Sequence, residues 1–151
     1  TLMRSSAASD VYKRQILKLR SMRLDAEKNG PRWAERNDSR CTRLGSFLRR
    51  SRLDELPQLW NILHGEMSFV GPRPERAYFY DQFEKTIPGF RNRLAVIPGL
   101  TGLAQVNGGY DLSPEQKIVF DMKYIENCCV GMDLSCMLKT VRLVFTHEGA
   151  R

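Results

Sequence analysis

The sequence predicts a mixed α/β domain that is predominantly helical, with a few short strands and a β-hairpin, and with amphipathic helices that suit a membrane surface. Apolar residues recur at helical spacing in two stretches, 42–63 and 133–146, and these predict helices. The dipeptide Asn107-Gly108 predicts the hairpin, because both residue types tolerate the positive φ of a tight two-residue turn. With 151 residues, the chain has the length of one domain with its own core.

The first residues, 1–15, are small or polar and show no usable periodicity. We therefore expect a disordered leader, a tag or an artefact there, and a domain that occupies 16–151. This domain should begin with a short strand from Ile16, in which apolar residues alternate with Lys18 and Arg20.

Two helices are predicted in the next stretch. The first covers 44–48, where three apolar residues share one face. A second apolar run repeats at i, i+3, i+7 and i+10: Leu53, Leu56, Trp60 and Leu63. Pro57 is tolerated only in the first turn of a helix, so this second helix should begin close to Asp54, with Asp54 or Ser51 as its N-cap.

The second half of the chain predicts three more helices and a strand. A helix is expected around Glu75–Lys85, and Ala104–Val106 is expected to be a strand that enters the hairpin. The letters SPEQ at 113–116 mark a helix start with an N-cap serine, a proline at the first helical position and a capping-box glutamine. The last helix is expected at about Asp133–Thr146.

Charge and composition limit the functional classes. The net charge of +7 and the pI of about 9.5 favour a polyanionic partner: nucleic acid, an anionic membrane surface or a phosphate-bearing substrate. No stretch reaches the ~18 apolar residues of a membrane span. The four cysteines have no zinc-ligand spacing and are expected to be free thiols. His64 and His147 are isolated and suggest no catalytic triad, so carboxylates and arginines must carry any chemistry.

Asp54 and Glu55 are the first candidates for that chemistry. Several arginines crowd just upstream of the pair: Arg43, Arg49, Arg50 and Arg52. Arginine forks bind phosphate oxygens, and a carboxylate near several arginines stays ionised and can act as a nucleophile or a metal ligand. The alternatives are simple helix capping by the acids and a basic helix face that lies on anionic headgroups.

Arg73 is the next candidate, because Pro72 and Pro74 stiffen the backbone on both sides of it, although a structural turn explains the prolines equally well. Gln105 near the predicted hairpin and Asp121 on the helix after 113 are further candidates, and both residue types are more often structural. Carboxylates at a helix start, ringed by arginines on rigid mounts, suit metal-assisted phosphoryl transfer.

Four motifs, in this order, resemble one protein family: KLRSM (18–22), TRLGSFLRRSRLDELPQLWNILHGEMSFVGPRPE (42–75), PGLTGLAQVNG (98–108) and FDMKYIEN (120–127). The resemblance is to the membrane-monotopic bacterial sugar transferases, that is, the polyprenyl-phosphate phosphoglycosyltransferases. It implies transfer of a sugar-1-phosphate from a UDP-sugar to a polyprenyl (undecaprenyl) phosphate with release of UMP, as the first membrane step of exopolysaccharide, O-antigen or glycoconjugate synthesis. It also implies Mg²⁺ as the cofactor and a location at the cytoplasmic face of the bacterial inner membrane.

The resemblance assigns roles to single residues. Asp54 matches a nucleophile that forms an aspartyl-phosphosugar intermediate, and Glu55 matches its acidic partner, which helps to hold Mg²⁺. The expected substrate- and phosphate-binding residues are Lys18, Arg49, Arg73, Gln105 and Asp121.

The chain also departs from the family pattern. Family members usually have phenylalanine at 19 and tryptophan at 103, and often arginine at 97 and 109, where this chain has Leu19, Leu103, Ile97 and Gly109. It also lacks the family's hydrophobic N-terminal segment, so we interpret it as a truncated domain that docks through amphipathic helices and basic charge. The alternatives are an inactive membrane-associated fragment and a basic nucleic-acid-binding module. The latter lacks a recognisable motif, so no nucleic-acid partner is expected.

Overall fold

The computed structural model describes residues 2–9, 12–28, 30–32 and 38–146. Helices dominate this part of the chain and two pairs of short strands accompany them, which confirms the predicted mixed, mostly helical α/β class. No helix within these residues is both long enough and apolar enough to cross a bilayer.

The N-terminal residues form an antiparallel strand pair. Strand β1 (Leu2–Ser9) pairs with β2 (Tyr12–Leu19), and Leu2 lies opposite Leu19. The predicted strand from Ile16 is therefore present, but it begins upstream, within the segment expected to be a leader. Strand pairing uses backbone donors and acceptors, which small and polar residues also supply, so the missing periodicity does not prevent it. The domain boundary at Ile16 stays a prediction.

Helix α1 (Arg43–Arg50) confirms the helix predicted over 44–48. The Thr42 hydroxyl accepts a hydrogen bond from the Gly45 amide at 2.9 Å and so caps its first turn. Ser51 is the C-cap residue, and its hydroxyl donates to the Phe47 carbonyl at 2.9 Å.

The second predicted helix is present, but its predicted start near Asp54 is wrong. A separate 3₁₀ turn (Leu53–Glu55) comes first, and helix α2 (Gln58–Leu63) follows with Pro57 at its N-cap position. The backbone turns left-handed at Arg52, with φ of 56°, so the chain leaves the α1 path and completes one tight turn before the proline. Neither Asp54 nor Ser51 caps α2.

Strand β3 (Ser68–Val70) pairs in parallel with β4 (Gly99–Thr101). Two glycines, one at each end of β4, let the backbones approach closely: a Cβ on Gly99 would lie 2.1 Å from the Gly71 amide nitrogen. A Cβ on Gly102 would lie 2.1 Å from the Gly71 carbonyl oxygen. This contact fixes the start of the 71–76 loop.

The strand predicted at Ala104–Val106 and its hairpin are wrong. Helix α4 (Leu103–Val106) occupies this stretch, and the Asn107 side-chain amide donates to the Leu103 carbonyl at 2.7 Å. A short apolar run does not distinguish strand from helix, and the Asn-Gly pair here ends a helix.

The remaining helices come next along the chain. Helix α3 (Ala77–Thr86) confirms the helix predicted around 75–85, and a second 3₁₀ turn (Phe90–Ala95) and a third (Gly109–Asp111) follow. Helix α5 (Pro114–Asn127) begins with the predicted capping box, and α6 (Val130–Thr146) is the predicted last helix.

The core lies where α5 and α6 meet β3. Val70, Tyr124 and Cys136 are buried together there. The Tyr124 hydroxyl donates to Asp133 Oδ1 at 2.7 Å and so joins the two helices. All four cysteines are free, as predicted.

Candidate active site

Two adjacent carboxylates occupy the first 3₁₀ turn. Asp54 is 2% exposed and Glu55 is 8% exposed, so both acids are buried. Buried carboxylates are costly unless cations or hydrogen-bond donors compensate them. The partners of this pair therefore decide what it can do.

Lys18 on β2 provides the first compensating charge. Its Nζ lies 2.9 Å from Asp54 Oδ2 and 3.5 Å from Glu55 Oε1. The strand is fixed beside α2 by Asn61, whose side chain accepts from the Leu17 amide at 2.9 Å and donates to the Gln15 carbonyl at 2.8 Å. Asn61 thus holds the backbone of β2 next to Lys18, and this places the lysine beside the two acids.

Arg73 provides the second charge, from the 71–76 loop. Its Nη2 donates to Glu55 Oε1. Backbone hydrogen bonds tie the start of this loop to β4: the Gly71 amide donates to Thr101 and the Gly99 amide donates to Pro72. The stiff mount that the two prolines predicted is therefore reinforced from a neighbouring strand. We call Lys18, Asp54, Glu55 and Arg73 the carboxylate site.

The electrostatics keep Glu55 charged. Burial alone would raise the pKa of its carboxyl group, but the charges of Arg73 and Lys18 outweigh burial and lower that pKa to about 2. Glu55 is therefore ionised at neutral pH and cannot serve as an acid there. It is suited to binding cations.

Arg49 lies outside this set of contacts among the described residues. Its Nε donates to the hydroxyl of the buried Ser21 at 2.8 Å, so it anchors the chain just after β2. Its predicted phosphate contact stays a prediction.

A cleft adjoins the carboxylate site and shares Arg73 with it. Its walls carry four cations and three other residues: Arg52, Arg73, Arg93, Lys117, Ala104, Gln105 and Gly109. Both side-chain amide atoms of Gln105 are buried and have no hydrogen-bond partner among the described residues. The cleft therefore offers positive charge and unused polar groups, which suits a polar anionic ligand.

Asp121 lies behind the cleft rather than in the carboxylate site. It is 1% exposed, and its Oδ2 lies 2.6 Å from Nη2 of Arg93, which is 2% exposed. Burial raises the pKa of Asp121 to about 6, although Arg93 opposes the rise. Sequence reasoning missed Arg93 and Lys117. The i, i+4 spacing of Lys117 and Asp121 on one helix face was the available signal.

Comparison with known proteins identifies the family of the chain. The family model described as "Bacterial sugar transferase" matches residues 6–147, which include every residue of the carboxylate site and the cleft. The chain belongs to the bacterial sugar transferase family. The match begins at residue 6, within the segment 1–15 that was predicted to be a leader.

Named relatives of the chain come from several bacteria. The UDP-N-acetylgalactosamine-undecaprenyl-phosphate N-acetylgalactosaminephosphotransferase of Aeromonas hydrophila is 43% identical over 91% of the chain and 33% of its own length. The putative undecaprenyl-phosphate N-acetylgalactosaminyl 1-phosphate transferase of Bacillus subtilis is 58% identical over 53% of the chain and 45% of its own length. The UDP-glucose:undecaprenyl-phosphate glucose-1-phosphate transferase of Xanthomonas campestris is 44% identical over 89% of the chain. The chain spans only 29% of that last protein, so it corresponds to a part of such relatives.

The two carboxylates of the carboxylate site are a donor set that fits Mg²⁺. The described residues hold no group of three or more His, Cys, Asp and Glu side chains that could bind a metal unaided. Mg²⁺ in phosphate-transferring enzymes is usually held by one or two carboxylates together with substrate phosphates and water. Asp54 and Glu55 are two neighbouring carboxylates of this kind.

Proposed function

We propose that the protein transfers a sugar-1-phosphate from a UDP-sugar to undecaprenyl or another polyprenyl phosphate and releases UMP. The observation that carries the proposal is the carboxylate site: two adjacent buried carboxylates in contact with Lys18 and Arg73. The names of the relatives support the same reaction, since each describes an undecaprenyl-phosphate sugar phosphotransferase.

In the first step, a carboxylate oxygen of Asp54 attacks the β-phosphorus of the UDP-sugar. A bond forms between this oxygen and phosphorus, and the bond from phosphorus to the bridging oxygen breaks. UMP leaves with that electron pair, and the sugar phosphate stays on Asp54 as an acyl phosphate. Lys18 contacts Oδ2 of Asp54, so its ammonium group lies beside the attacking carboxylate and can also pair with the incoming phosphate.

In the second step, a phosphate oxygen of the polyprenyl phosphate attacks the same phosphorus. The bond to Asp54 breaks, its carboxylate is regenerated, and the product is a polyprenyl diphosphate sugar. Two cations of the cleft, Arg73 and Lys117, stabilise the phosphate charge in both steps.

Glu55 would hold Mg²⁺, which when bound neutralises phosphate charge and orients the diphosphate. The low pKa of Glu55 keeps this ligand ionised throughout the neutral range. Arg73 donates to Glu55 in the same site and so fixes the orientation of this carboxylate.

We also propose that the protein docks on the cytoplasmic face of the inner membrane, where polyprenyl phosphate is available. Apolar residues from the two predicted helix faces are exposed: Leu44 on α1 is 67% exposed, and Trp60 and Leu63 on α2 are 59% and 79% exposed. Arginines at 43 and 50 are exposed on α1 as well. Apolar side chains with nearby basic residues are typical of helices that lie in a membrane interface.

The test is UMP release from a panel of UDP-sugars with undecaprenyl phosphate, Mg²⁺ and detergent. We expect UMP from the wild-type protein and none above background from Asp54→Asn. Asp81→Asn, which changes an exposed aspartate on α3, is the matched control and should retain the activity. UMP release by Asp54→Asn at the wild-type rate would contradict the aspartyl intermediate. No release from any donor by the wild type would contradict the proposed activity of this chain.

A further inference from the structure

The 71–76 loop, which delivers Arg73, is held from behind by α5. The Arg93 guanidinium donates from Nη2 to the carbonyl of Arg73 at 3.0 Å. Lys117 Nζ lies 3.9 Å from Glu75 Oε1 in the same loop. Asp121, one turn after Lys117 on α5, contacts Arg93. Two side chains of one helix face therefore restrain the loop, one of them through an arginine.

Arg93 itself has little freedom to move. Its guanidinium carbon lies 4.9 Å from the Phe90 ring centroid and 5.9 Å from the Tyr80 ring centroid. A planar guanidinium can stack on rings while it forks toward polar atoms, whereas an ammonium group cannot. The aromatic contacts and Asp121 together fix the group that holds the Arg73 carbonyl.

From these contacts we infer that Arg93, fixed by Asp121, is a positioning residue that places the Arg73 guanidinium on Glu55. Arg93 acts through the backbone of Arg73 and touches neither carboxylate of the site. A displacement of about 1 Å in a site that positions phosphates can cost on the order of 100-fold in rate. The inference rests on the proposed function for its kinetic test, and on geometry alone for its spectroscopic test.

The kinetic test is a double-mutant cycle on UMP release. We expect Arg93→Lys to lower kcat by about 10-fold or more in the wild-type background, and by less than about 2-fold when Arg73 is already lysine. Arg91→Lys, in the same 3₁₀ turn, is the matched control and should retain the wild-type rate. Equal losses from Arg93→Lys in both backgrounds would overturn the inference, because they would mean that Arg93 acts independently of Arg73.

The spectroscopic test needs no activity. The Nε–H signal of Arg73 is assigned in a ¹⁵N–¹H spectrum by its loss in Arg73→Lys. We expect Arg93→Lys to shift this signal and Arg91→Lys to leave it in place, and an unshifted signal in Arg93→Lys would overturn the inference. If the wild type releases no UMP, the proposed function fails while this measurement still decides the positioning role.

A second variant covers the case in which Arg93→Lys does not fold, as judged by circular dichroism. Asp121→Asn keeps Arg93 and the size of the side chain at 121, but removes the negative charge that fixes Arg93. This variant should shift the Arg73 signal in the same direction. If neither variant folds, the pair is a requirement of folding and the positioning role is overturned.

Discussion

Asn61 connects α2 to the strand that carries Lys18, and its replacement by aspartate tests that connection. The side chain is 2% exposed, and its Nδ2 donates to the Gln15 carbonyl at 2.8 Å and to Glu66 Oε2 at 2.5 Å. Asn61→Asp keeps the shape and the oxygen that accepts from Leu17, but replaces the donor with a second oxygen. Two hydrogen bonds are lost, and a carboxylate then faces both a carbonyl and the Glu66 carboxylate.

A buried polar group left unsatisfied costs about 1–3 kcal/mol, and charged groups cost more. We therefore expect Asn61→Asp to lower the free energy of unfolding by about 2–4 kcal/mol at pH 7, measured by urea denaturation with circular dichroism. The control is Asn107→Asp, which also loses an amide donor but at an exposed position, where we expect less than about 1 kcal/mol. A loss in Asn61→Asp no larger than that in the control would refute the view that this amide holds β2 in place.

Three further predictions concern packing, pH and the membrane. Gly99→Ala should cost about 3 kcal/mol or more in urea denaturation, because its Cβ would meet the Gly71 backbone nitrogen at 2.1 Å, and wild-type stability would contradict the close contact. Because the pKa of Asp121 is raised from 3.8 to about 6, the unfolded chain releases this proton first, so the wild type should lose up to about 3 kcal/mol relative to Asp121→Asn as pH rises from about 4 to 7. Parallel pH profiles of the free energy of unfolding would show that the shift is absent. Leu63→Glu should weaken flotation with anionic vesicles several-fold, whereas Val119→Glu, at a 65% exposed position on α5, should not, and equal effects would argue against docking through α2.

Local signals predicted the elements whose ends are set by their own side chains. The capping box at 113–116 identified the start of α5 because the serine and the glutamine satisfy backbone groups within one turn. The acids at 54 and 55 were found because arginines crowd near them in sequence. The predicted start of α2 was wrong, because the spacing of apolar residues does not reveal the left-handed backbone at Arg52.

Long-range contacts were the part that the sequence did not predict. Arg93 follows Arg91 and Asn92 and so looks like a surface arginine. It is nevertheless buried, and Asp121, 28 positions away on α5, contacts it. The apolar run of Leu53, Leu56, Trp60 and Leu63 has the period of a core face, but the structure exposes it. Periodicity reports that a face is apolar, and it does not report what covers that face.

The carboxylate site joins parts of the chain that are far apart in sequence. Lys18 lies 37 residues before Glu55, and Arg73 lies 18 residues after it. A cut between β2 and α1 would therefore put the ammonium group on one fragment and both acids on the other. Reassociation of the two fragments would have to return Lys18 on β2 to the two buried acids, for which it is a counter-ion. Replacement of this lysine by an uncharged residue should therefore weaken fragment complementation.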